Sequence, residues 1–280
     1  MTLEIDFRND DGGDVRRLLW ATDLHLDAVP RKQSHLFFEL LAEYECDAML
    51  VGGDVSNGLG SLNYLTKIQK AVQKPLYFVL GNHDYYYGSI DNIRKEASKL
   101  SQEHPDLCYL SAAKVIPLSE KTALIGHDGW SDGRAGNYAK SDVLLNDYFL
   151  IAEIKNLNAK DRLVKLNELG AEAAHFLSVH LKEALKHFES VVLLTHVPPF
   201  EECCISMGVS ADPNWTPHFV GQLTGKHLEE IMRKHPNKKL LILCGHSHWG
   251  NDIQILPNLR VVTGHSDLGN PYVQGQVFIN

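Results

Sequence analysis

Aspartate, asparagine and histidine cluster at five places in the 280-residue chain, each directly after a short apolar run. The clusters read Asp-Leu-His at 23–25, Gly-Asp at 53–54, Gly-Asn-His-Asp at 81–84, a histidine at 196 and Gly-His-Ser-His at 245–248. Carboxylate and amide oxygens with imidazole nitrogens suit Mn, Fe or Zn, whereas structural zinc sites are rich in cysteine. The residue types therefore indicate a metal centre.

The candidate ligands are too many for one four-coordinate ion. Two ions about 3.5–4 Å apart that share a bridging carboxylate would use them all. The sequence therefore predicts two divalent cations, drawn from Mn, Fe and Zn. Glycines at 53, 81 and 245 would let the backbone turn sharply beside these ions.

The elements around the clusters predict how the ligands meet. The first half of the chain alternates apolar, strand-like runs with segments of helical spacing, at 17–21, 33–44, 48–51, 59–71, 76–80 and 88–100. This alternation predicts parallel strands joined by crossover helices. Ligands of such sheets collect at the carboxyl ends of the strands. We therefore expect the clusters to converge on one point.

The rhythm changes in the second half. Runs at 114–117 and 122–125 predict two antiparallel strands, and strand character returns at 191–194 and 240–243. A helix is expected to end near 229–234, and short strands and turns to fill 252–279. The polar, helix-prone stretch at about 129–188 interrupts the alternation. We interpret it as a helical and loop insertion within a single domain that spans 1–280.

Bulk properties exclude several classes of protein. A net charge of −8 and the lack of a basic stripe argue against an extended nucleic-acid surface and therefore against a DNA nuclease. No apolar run approaches the roughly 20 residues of a membrane span. Residues 1–14 lack the apolar core of a signal peptide. With five cysteines and no CxxC pair, a reduced, cytoplasmic protein is expected.

The order of the five clusters resembles the calcineurin-like metallophosphoesterase superfamily, and the matched motifs run from Asp23 to His248. The resemblance implies a four-layer α/β/β/α sandwich with two mixed β-sheets. It also implies a binuclear phosphoesterase that hydrolyses a phosphate mono- or diester by attack of a hydroxide bridging the two metals.

Residue roles follow from the same resemblance. It implies one metal held by Asp23, His25 and His248, and a second held by Asn82, His196 and His246. Asp54 would bridge the two ions. His83 would not bind metal; it would face the phosphate and protonate or stabilise the departing oxygen.

Two residues beside these motifs have less specific patterns. Asn57 lies three residues after Asp54, where protein serine/threonine phosphatases of the superfamily place an acidic residue that orients the catalytic histidine. An asparagine there could hydrogen-bond His83 or could simply complete a turn, and we keep it as a candidate catalytic residue with His83 and Asp54. Asp84 is expected to bond loop amides.

Candidate substrate contacts come from segments without a metal-ligand pattern. The glycine-rich segment 126–134 could be a loop over the site, with His127 or Arg134 contacting phosphate together with Asn82, or it could be a solvated loop. Four side chains after His196 could line the pocket: Cys203, Cys204, Trp215 and His218. Three histidines of the helix-like stretch are expected at surface or core positions: His175, His180 and His187.

The substrate is open among three interpretations. Segment 53–58 reads Gly-Asp-Val-Ser-Asn-Gly and lacks the arginine of the Gly-Asp-x-Val-Asp-Arg-Gly motif of protein serine/threonine phosphatases. This departure favours a phosphorylated small molecule, including nucleotide-type substrates and cyclic or linear phosphodiesters. The alternatives are a phosphoprotein phosphatase and a non-catalytic scaffold that keeps the fold.

Overall fold

The computed structural model describes residues 2–9, 14–204 and 212–280, so part of the N-terminal segment 1–14 lies outside the described residues. Its strands are β1 (Leu3–Asp6), β2 (Arg16–Ala21), β3 (Ala48–Val51), β4 (Leu76–Phe78), β5 (Leu107–Tyr109), β6 (Ile116–Pro117), β7 (Thr122–His127), β8 (Ser190–Thr195), β9 (Lys239–Cys244), β10 (Asn251–Leu256), β11 (Leu259–Thr263) and β12 (Gly275–Ile279). Its α-helices are α1 (Arg31–Glu43), α2 (Gly60–Val72), α3 (Ile90–Glu103), α4 (Asp147–Leu150), α5 (Ala159–His187) and α6 (Gln222–Arg233).

The first sheet has the strand order β1-β12-β2-β3-β4-β5. The strands β2 to β5 run parallel to one another, as the alternation of strands and helices predicts. The strand β12 pairs antiparallel with β2 and parallel with β1, which makes the sheet mixed. The carboxyl ends of β2, β3 and β4 therefore lie side by side.

The second sheet has the strand order β10-β11-β9-β8-β7-β6. Its central strands are parallel, and the outer strands β6 and β10 pair antiparallel with their neighbours. The predicted antiparallel pair at 114–117 and 122–125 is confirmed in the pairing of β6 with β7. The carboxyl ends of β8 and β9 are neighbours in this sheet.

Alternating side chains of the inner strands belong to two different cores. In β2, Leu18 and Trp20 are buried between the two sheets, whereas Leu19 and Ala21 are buried beneath the helices of the outer layer. This two-residue period is the geometry of a strand covered on both faces. It explains why the strand sequences read as continuous apolar runs rather than as alternating ones.

Helices cover the outer face of each sheet. Apolar residues of α1, α2 and α3 join the core under the first sheet, and those of α5 and α6 join the core under the second. The four-layer α/β/β/α sandwich is confirmed. Nearly half of the segment 129–188 is the 29-residue helix α5, which packs on β7, β8 and α6. Within the described residues, no helix has both the length and the apolar character needed to cross a membrane.

Candidate metal centre

The predicted ligands follow strand ends of both sheets. Asp23 and His25 come after β2, Asp54 after β3 and Asn82 after β4. From the second sheet, His196 follows β8, and two histidines follow β9 at 246 and 248. Parallel strands place these turns at one edge of each sheet, and the stacking of the sheets brings the two edges together.

Six of the seven predicted ligands form two groups that could each hold a metal ion. The first group is Asp23, His25, Asp54 and His248, and the second is Asp54, His196 and His246. Within each group, one ligand atom per residue lies within 4.8 Å of the others. Asp54 is common to both groups, so a single carboxylate faces both potential ion positions. All of these residues are buried except His248, which is half-buried.

Hydrogen bonding around His196 indicates a position for a cation in the second group. Its Nδ1 lies 2.8 Å from the carbonyl oxygen of Gly52, and a carbonyl only accepts, so Nδ1 carries a proton. The neutral ring then presents a lone pair at Nε2 to two further acceptors, Asp54 Oδ2 at 3.4 Å and Asn82 Oδ1 at 3.2 Å. Only a second proton or a metal ion relieves this meeting of acceptors.

The first group has a similar arrangement. The Nε2 atoms of His25 and His248 lie 3.2 Å apart, and His248 Nε2 lies 3.3 Å from Asp23 Oδ1. Burial lowers the pKa of His25, which favours a neutral ring with a lone pair for a metal. The donor set of carboxylate oxygens and imidazole nitrogens suits divalent Mn, Fe or Zn.

The electrostatics favour a bound cation. Burial lowers the pKa of His196, but the Asp54 carboxylate outweighs that effect, and the pKa is raised to about 10. Burial also raises the pKa of Asp54, yet His196 and the neighbouring histidines hold it well below its ordinary value. Burial and the nearby His196 lower the pKa of His246 to about 3. The carboxylates thus draw positive charge into a buried position, which a metal ion can supply in place of a proton.

Asn82 completes the second group. Its amide nitrogen donates to Asp147 Oδ1 at 2.9 Å, and the hydroxyl of Tyr86 donates to the same oxygen at 2.7 Å. Because a carboxylate accepts, Asp147 fixes the amide nitrogen on its own side and leaves Asn82 Oδ1 directed at His196. Asp147 is a buried positioning residue that the sequence did not reveal.

The backbone at the ligands is unusual. Five predicted ligands have left-handed φ angles: Asp23 at 53°, His25 at 42°, Asp54 at 51°, His246 at 67° and His248 at 61°. Non-glycine residues held in this region each cost about 1–3 kcal/mol and concentrate at functional sites. The site therefore stores backbone strain that the surrounding fold sustains.

Two glycines make room for the carboxylates. A Cβ at Gly81 would lie 2.1 Å from Asp54 Oδ1, and a Cβ at Gly245 would lie 2.0 Å from Asp23 Oδ2. Neither distance is compatible with a side chain. The glycines at 81 and 245 are thus a packing requirement of the site.

Asp84 holds the loops that carry these ligands. Its carboxylate accepts from the backbone amides of Asp54, Val55 and Ser56 at 2.9–3.2 Å, and from that of Gly81 at 2.7 Å. The expectation that Asp84 bonds loop amides is confirmed. The turns after β3 and β4 are therefore fixed to each other before any ion binds.

His83 lies beside Asp54 and is oriented through Asn57. Its Nδ1 is 3.2 Å from Asn57 Oδ1, and Asn57 Nδ2 donates to Asp27 Oδ2 at 2.7 Å. Since Asp27 accepts, the amide nitrogen of Asn57 must face it, so Asn57 Oδ1 accepts from a protonated Nδ1 of His83. His83 Nε2 then faces the site, 4.0 Å from Asp54 Oδ2. Position 57 has no acidic side chain, but His83 is linked to the carboxylate of Asp27 by two successive hydrogen bonds through Asn57.

Sequence comparison decides the family. The profile of the calcineurin-like phosphoesterase family matches residues 16–250, which is most of the chain. The chain belongs to the calcineurin-like phosphoesterase family. This is a family of metal-dependent phosphoesterases, and the resemblance noted in the motifs is confirmed. A search of curated proteins finds no match to this family member.

Solved structures agree at the level of the fold. The chain is similar to phosphopantetheinyl hydrolase from Mycobacterium tuberculosis, with a TM-score of 0.64 and 13% identity over 90% of this chain and 89% of that one. A dimetal phosphatase from Danio rerio gives a TM-score of 0.55 and 12% identity, with 91% and 88% covered. A Thermus thermophilus protein gives a TM-score of 0.52 and 16% identity, with 91% of each chain covered.

A cavity of about 610 Å³ opens over the candidate metal centre. Its lining includes His83, Asn82, Asp54 and both histidines of the 245–248 cluster. Of the residues expected to line the pocket, Cys204 and Trp215 do so. Cys203 is buried in the outer core of the second sheet. His218 is buried, hydrogen-bonded through its ring to Tyr148 and Ser141, and its carbonyl oxygen lies 3.2 Å from His246 Nε2.

The structure places two predicted phosphate contacts elsewhere. His127 is buried against Phe176, with its Nε2 3.8 Å from Glu172. Arg134 Nη1 pairs with Asp132 at 3.1 Å. Neither residue lines the cavity over the candidate metal centre, so the structure does not bring these two predicted substrate contacts to the site. His175, His180 and His187 lie on α5, outside both groups of ligands.

Proposed function

We propose that the chain hydrolyses a phosphate mono- or diester of a small molecule, with two divalent metal ions held by the two groups of ligands. The observation that carries the proposal is Asp54, which belongs to both groups at the floor of a cavity and lies within 4.0 Å of His83 Nε2. Bound there, the metals would neutralise phosphate oxygens and lower the pKa of a bound water.

The candidate ligands divide into one set for each ion. Asp23, His25 and His248 would bind one ion, Asn82, His196 and His246 would bind the other, and Asp54 would contact both. The tautomers support this division: His196 donates from Nδ1 to Gly52, which leaves Nε2 for a metal. His246 Nε2 faces the carbonyl of His218, which leaves Nδ1.

His83 would protonate the leaving group. Its Nδ1–H is held by Asn57, so only Nε2 can exchange a proton with the substrate. In the proposed reaction, Nε2–H donates its proton to the departing ester oxygen as the P–O bond breaks, and the ring is left neutral. The side chain is 30% exposed and lines the cavity, so a substrate oxygen can reach it.

The cavity supports a small-molecule substrate. Its volume of about 610 Å³ lies within the range of about 300–1,000 Å³ that is usual for small-ligand sites. A complete set of candidate ligands together with His83 counts against a non-catalytic scaffold, because a scaffold has no use for the strained ligand backbone.

A metal titration combined with a hydrolysis screen tests the proposal. The protein would be stripped with chelator, reloaded with Mn, Fe or Zn, and assayed on monoesters, linear and cyclic diesters, and pyrophosphates. We expect two metals per chain by elemental analysis and turnover of at least one ester that depends on both. The variant His25→Asn should lower the metal content, whereas the control His187→Asn on α5, outside both groups of ligands, should leave it unchanged. Saturation at one metal would overturn the binuclear model, and two metals without turnover of any ester would favour the scaffold.

A further inference from the structure

We infer that the cavity over the metal centre binds a planar, uncharged ring of the substrate, such as an aryl or nucleobase group, and selects against a second anionic group. This inference rests on the proposed function for one point, the position of the phosphate at the metal centre.

Four aromatic side chains line the cavity, and we call them the aromatic rim: Tyr86, Trp215, Phe219 and Trp249. The Phe219 ring centroid lies 4.8 Å from that of His246, and the Tyr86 ring centroid lies 4.3 Å from that of His83. The rim therefore begins in direct contact with a candidate metal ligand on one side and with the proposed acid on the other. An organic group attached to the phosphate would enter between these rings.

The two tryptophans of the rim are open to solvent. Trp215 is 47% exposed and Trp249 is 46% exposed, whereas the other two tryptophans, Trp20 and Trp130, are buried. Large exposed aromatic surface grouped in a cavity is typical of a binding site. Flat rings prefer offset-stacked or edge-to-face contacts with other rings, which selects for a planar partner.

The charge of the lining restricts that partner. Among the described residues, no lysine or arginine lines the cavity, and the sequence 205–211, which joins Cys204 to Asp212, contains none. The lining instead includes Asp147 and Asp212 in addition to Asp54. A second phosphate or a carboxylate on the substrate would meet these carboxylates without the cation that normally pairs with it.

Neutral groups supply the remaining polarity. The hydroxyls of Ser247 and Thr216 are buried, and neither has a hydrogen-bond partner among the described residues. Both residues line the cavity. Buried polar groups are normally satisfied, so a small rotation of either unpartnered hydroxyl toward the cavity would give it a partner at the edge of an uncharged ring. Aromatic faces, neutral hydroxyls and the absence of cations from the described lining thus point to the same ligand.

Binding of three phosphonates, which are not hydrolysed, tests the inference. Methylphosphonate, phenylphosphonate and 4-carboxyphenylphosphonate would be titrated into the Mn-loaded protein by calorimetry and by tryptophan fluorescence. We expect phenylphosphonate to bind about 10-fold more tightly than methylphosphonate, in line with one or two aromatic contacts. The added carboxylate should reverse most of that gain. Fluorescence should change with the phenyl compound because Trp215 and Trp249 line the cavity.

Single substitutions in the aromatic rim test which side chains bind the phenyl ring. Trp215→Ala and Trp249→Ala should each weaken phenylphosphonate about 3- to 10-fold and leave methylphosphonate unchanged. Phe149→Ala is the matched control, because Phe149 is 61% exposed and does not line the cavity. Retained methylphosphonate binding shows that each variant is folded. Equal binding of the methyl and phenyl compounds, or tighter binding of the carboxyphenyl compound, would overturn the inference.

The outcomes separate this inference from the proposed function. A preference for phenylphosphonate without turnover of any ester would leave the ring site standing and remove the phosphoesterase proposal. Turnover of esters without a phenyl preference would do the reverse. A metal-loaded protein that binds none of the phosphonates would overturn the ring site, while turnover of esters would still decide the proposed function.

Discussion

Two buried aspartates at the ends of neighbouring layers, Asp54 and Asp128, have opposite surroundings. Each is 1% exposed. Asp128 accepts at Oδ1 from the Leu80 amide and the Ser111 hydroxyl, both at 2.8 Å. At Oδ2 it accepts from the hydroxyls of Tyr85 and Tyr109 at 2.6 Å each, and from Arg94 Nε at 3.1 Å. Every one of these partners is a donor.

Asp54 has far fewer donors. Its Oδ1 accepts from the His83 amide at 2.9 Å, while Oδ2 faces imidazole nitrogens of His196, His25 and His83 at 3.4–4.0 Å. A buried carboxylate with a full set of donors is satisfied within the fold, whereas Asp54 meets the lone pair of His196 Nε2 and so favours a bound cation. The backbone agrees, since Asp54 is left-handed and Asp128 is not. Burial alone therefore does not distinguish a structural carboxylate from a functional one; the identity of its neighbours does.

The largest expected effect is that of Asp54→Asn. The amide keeps an oxygen for the His83 amide but removes the charge shared by both ligand groups. Metal catalysis contributes several kcal/mol, so turnover should fall by about 10⁴-fold or more. Both metals should be weakened together, measured by elemental analysis, whereas His25→Asn should affect chiefly one. The variant should remain folded by circular dichroism. Two retained metals with near-normal turnover would remove Asp54 from the bridging position.

Substitution of His83 should separate chemistry from metal binding. His83→Gln should keep two metals and lower the rate by about 10²–10⁴-fold, the range for a positioned acid or base. The loss should be small for a nitrophenyl ester, which departs without a proton, and large for an alkyl or sugar ester. Equal losses for all leaving groups would instead assign His83 to phosphate binding.

Asp128→Asn should damage the fold rather than the chemistry. It removes one of the two carboxylates that pair with the half-buried Arg94, and Glu172 remains at 2.7 Å. The cost should therefore approach, without exceeding, the roughly 3–5 kcal/mol of breaking a fully buried pair. Burial raises the pKa of Asp128, but Arg94 and the tyrosine hydroxyls hold it below its ordinary value. Its stabilisation is therefore present above the unfolded pKa of about 3.9 and lost as the pH falls through the folded pKa.

Urea denaturation as a function of pH measures this effect. The variant should lose stability at neutral pH and lose part of the acid dependence of the wild type. Asp252→Asn, which breaks an exposed pair with Arg260, is the control and should cost less than about 1 kcal/mol. If Asp128→Asn lowers the free energy of unfolding no more than the control does, the hydrogen bonds of Asp128 do not stabilise the fold as we infer.

The smallest effect is expected along the relay from Asp27 through Asn57 to His83. Asn57→Leu should lower turnover about 10-fold by freeing the His83 ring, and Asp27→Asn should lower it less, in keeping with the effect of orienting partners. Both should leave the metal content unchanged. Neither should reduce the rate further once His83 is already glutamine, because the three residues act as one unit. Full additivity would show that Asn57 acts independently of His83.

The sequence predicts well what depends on local pattern. Apolar runs that are buried on both faces gave the strands around 48–51 and 191–194, and the ligand clusters at their ends gave the site. Very short strands were missed, since the three residues of β5 carry too little pattern. The strand predicted at 76–80 ends at Phe78, because the chain turns there toward Asn82.

Long-range partners are the part that pattern could not supply. Asp27 and Asp147 lie 30 and 65 residues from Asn57 and Asn82, and neither belongs to one of the ligand motifs. The position of His127 away from the cavity has a geometric cause. Successive side chains at the end of β7 point to opposite faces, so Asp128 faces the hydroxyls near the site and His127 faces Phe176 of α5.

The division of the ligands between the sheets has a consequence for assembly of the molecule. Each group contains residues from both sheets, with Asp54 from the first and histidines that follow β8 or β9 of the second. Neither sheet alone can therefore bind a metal with its full set of ligands. High-affinity metal uptake would therefore follow the docking of the two sheets, and a bound ion would cross-link the N-terminal and C-terminal halves of the chain.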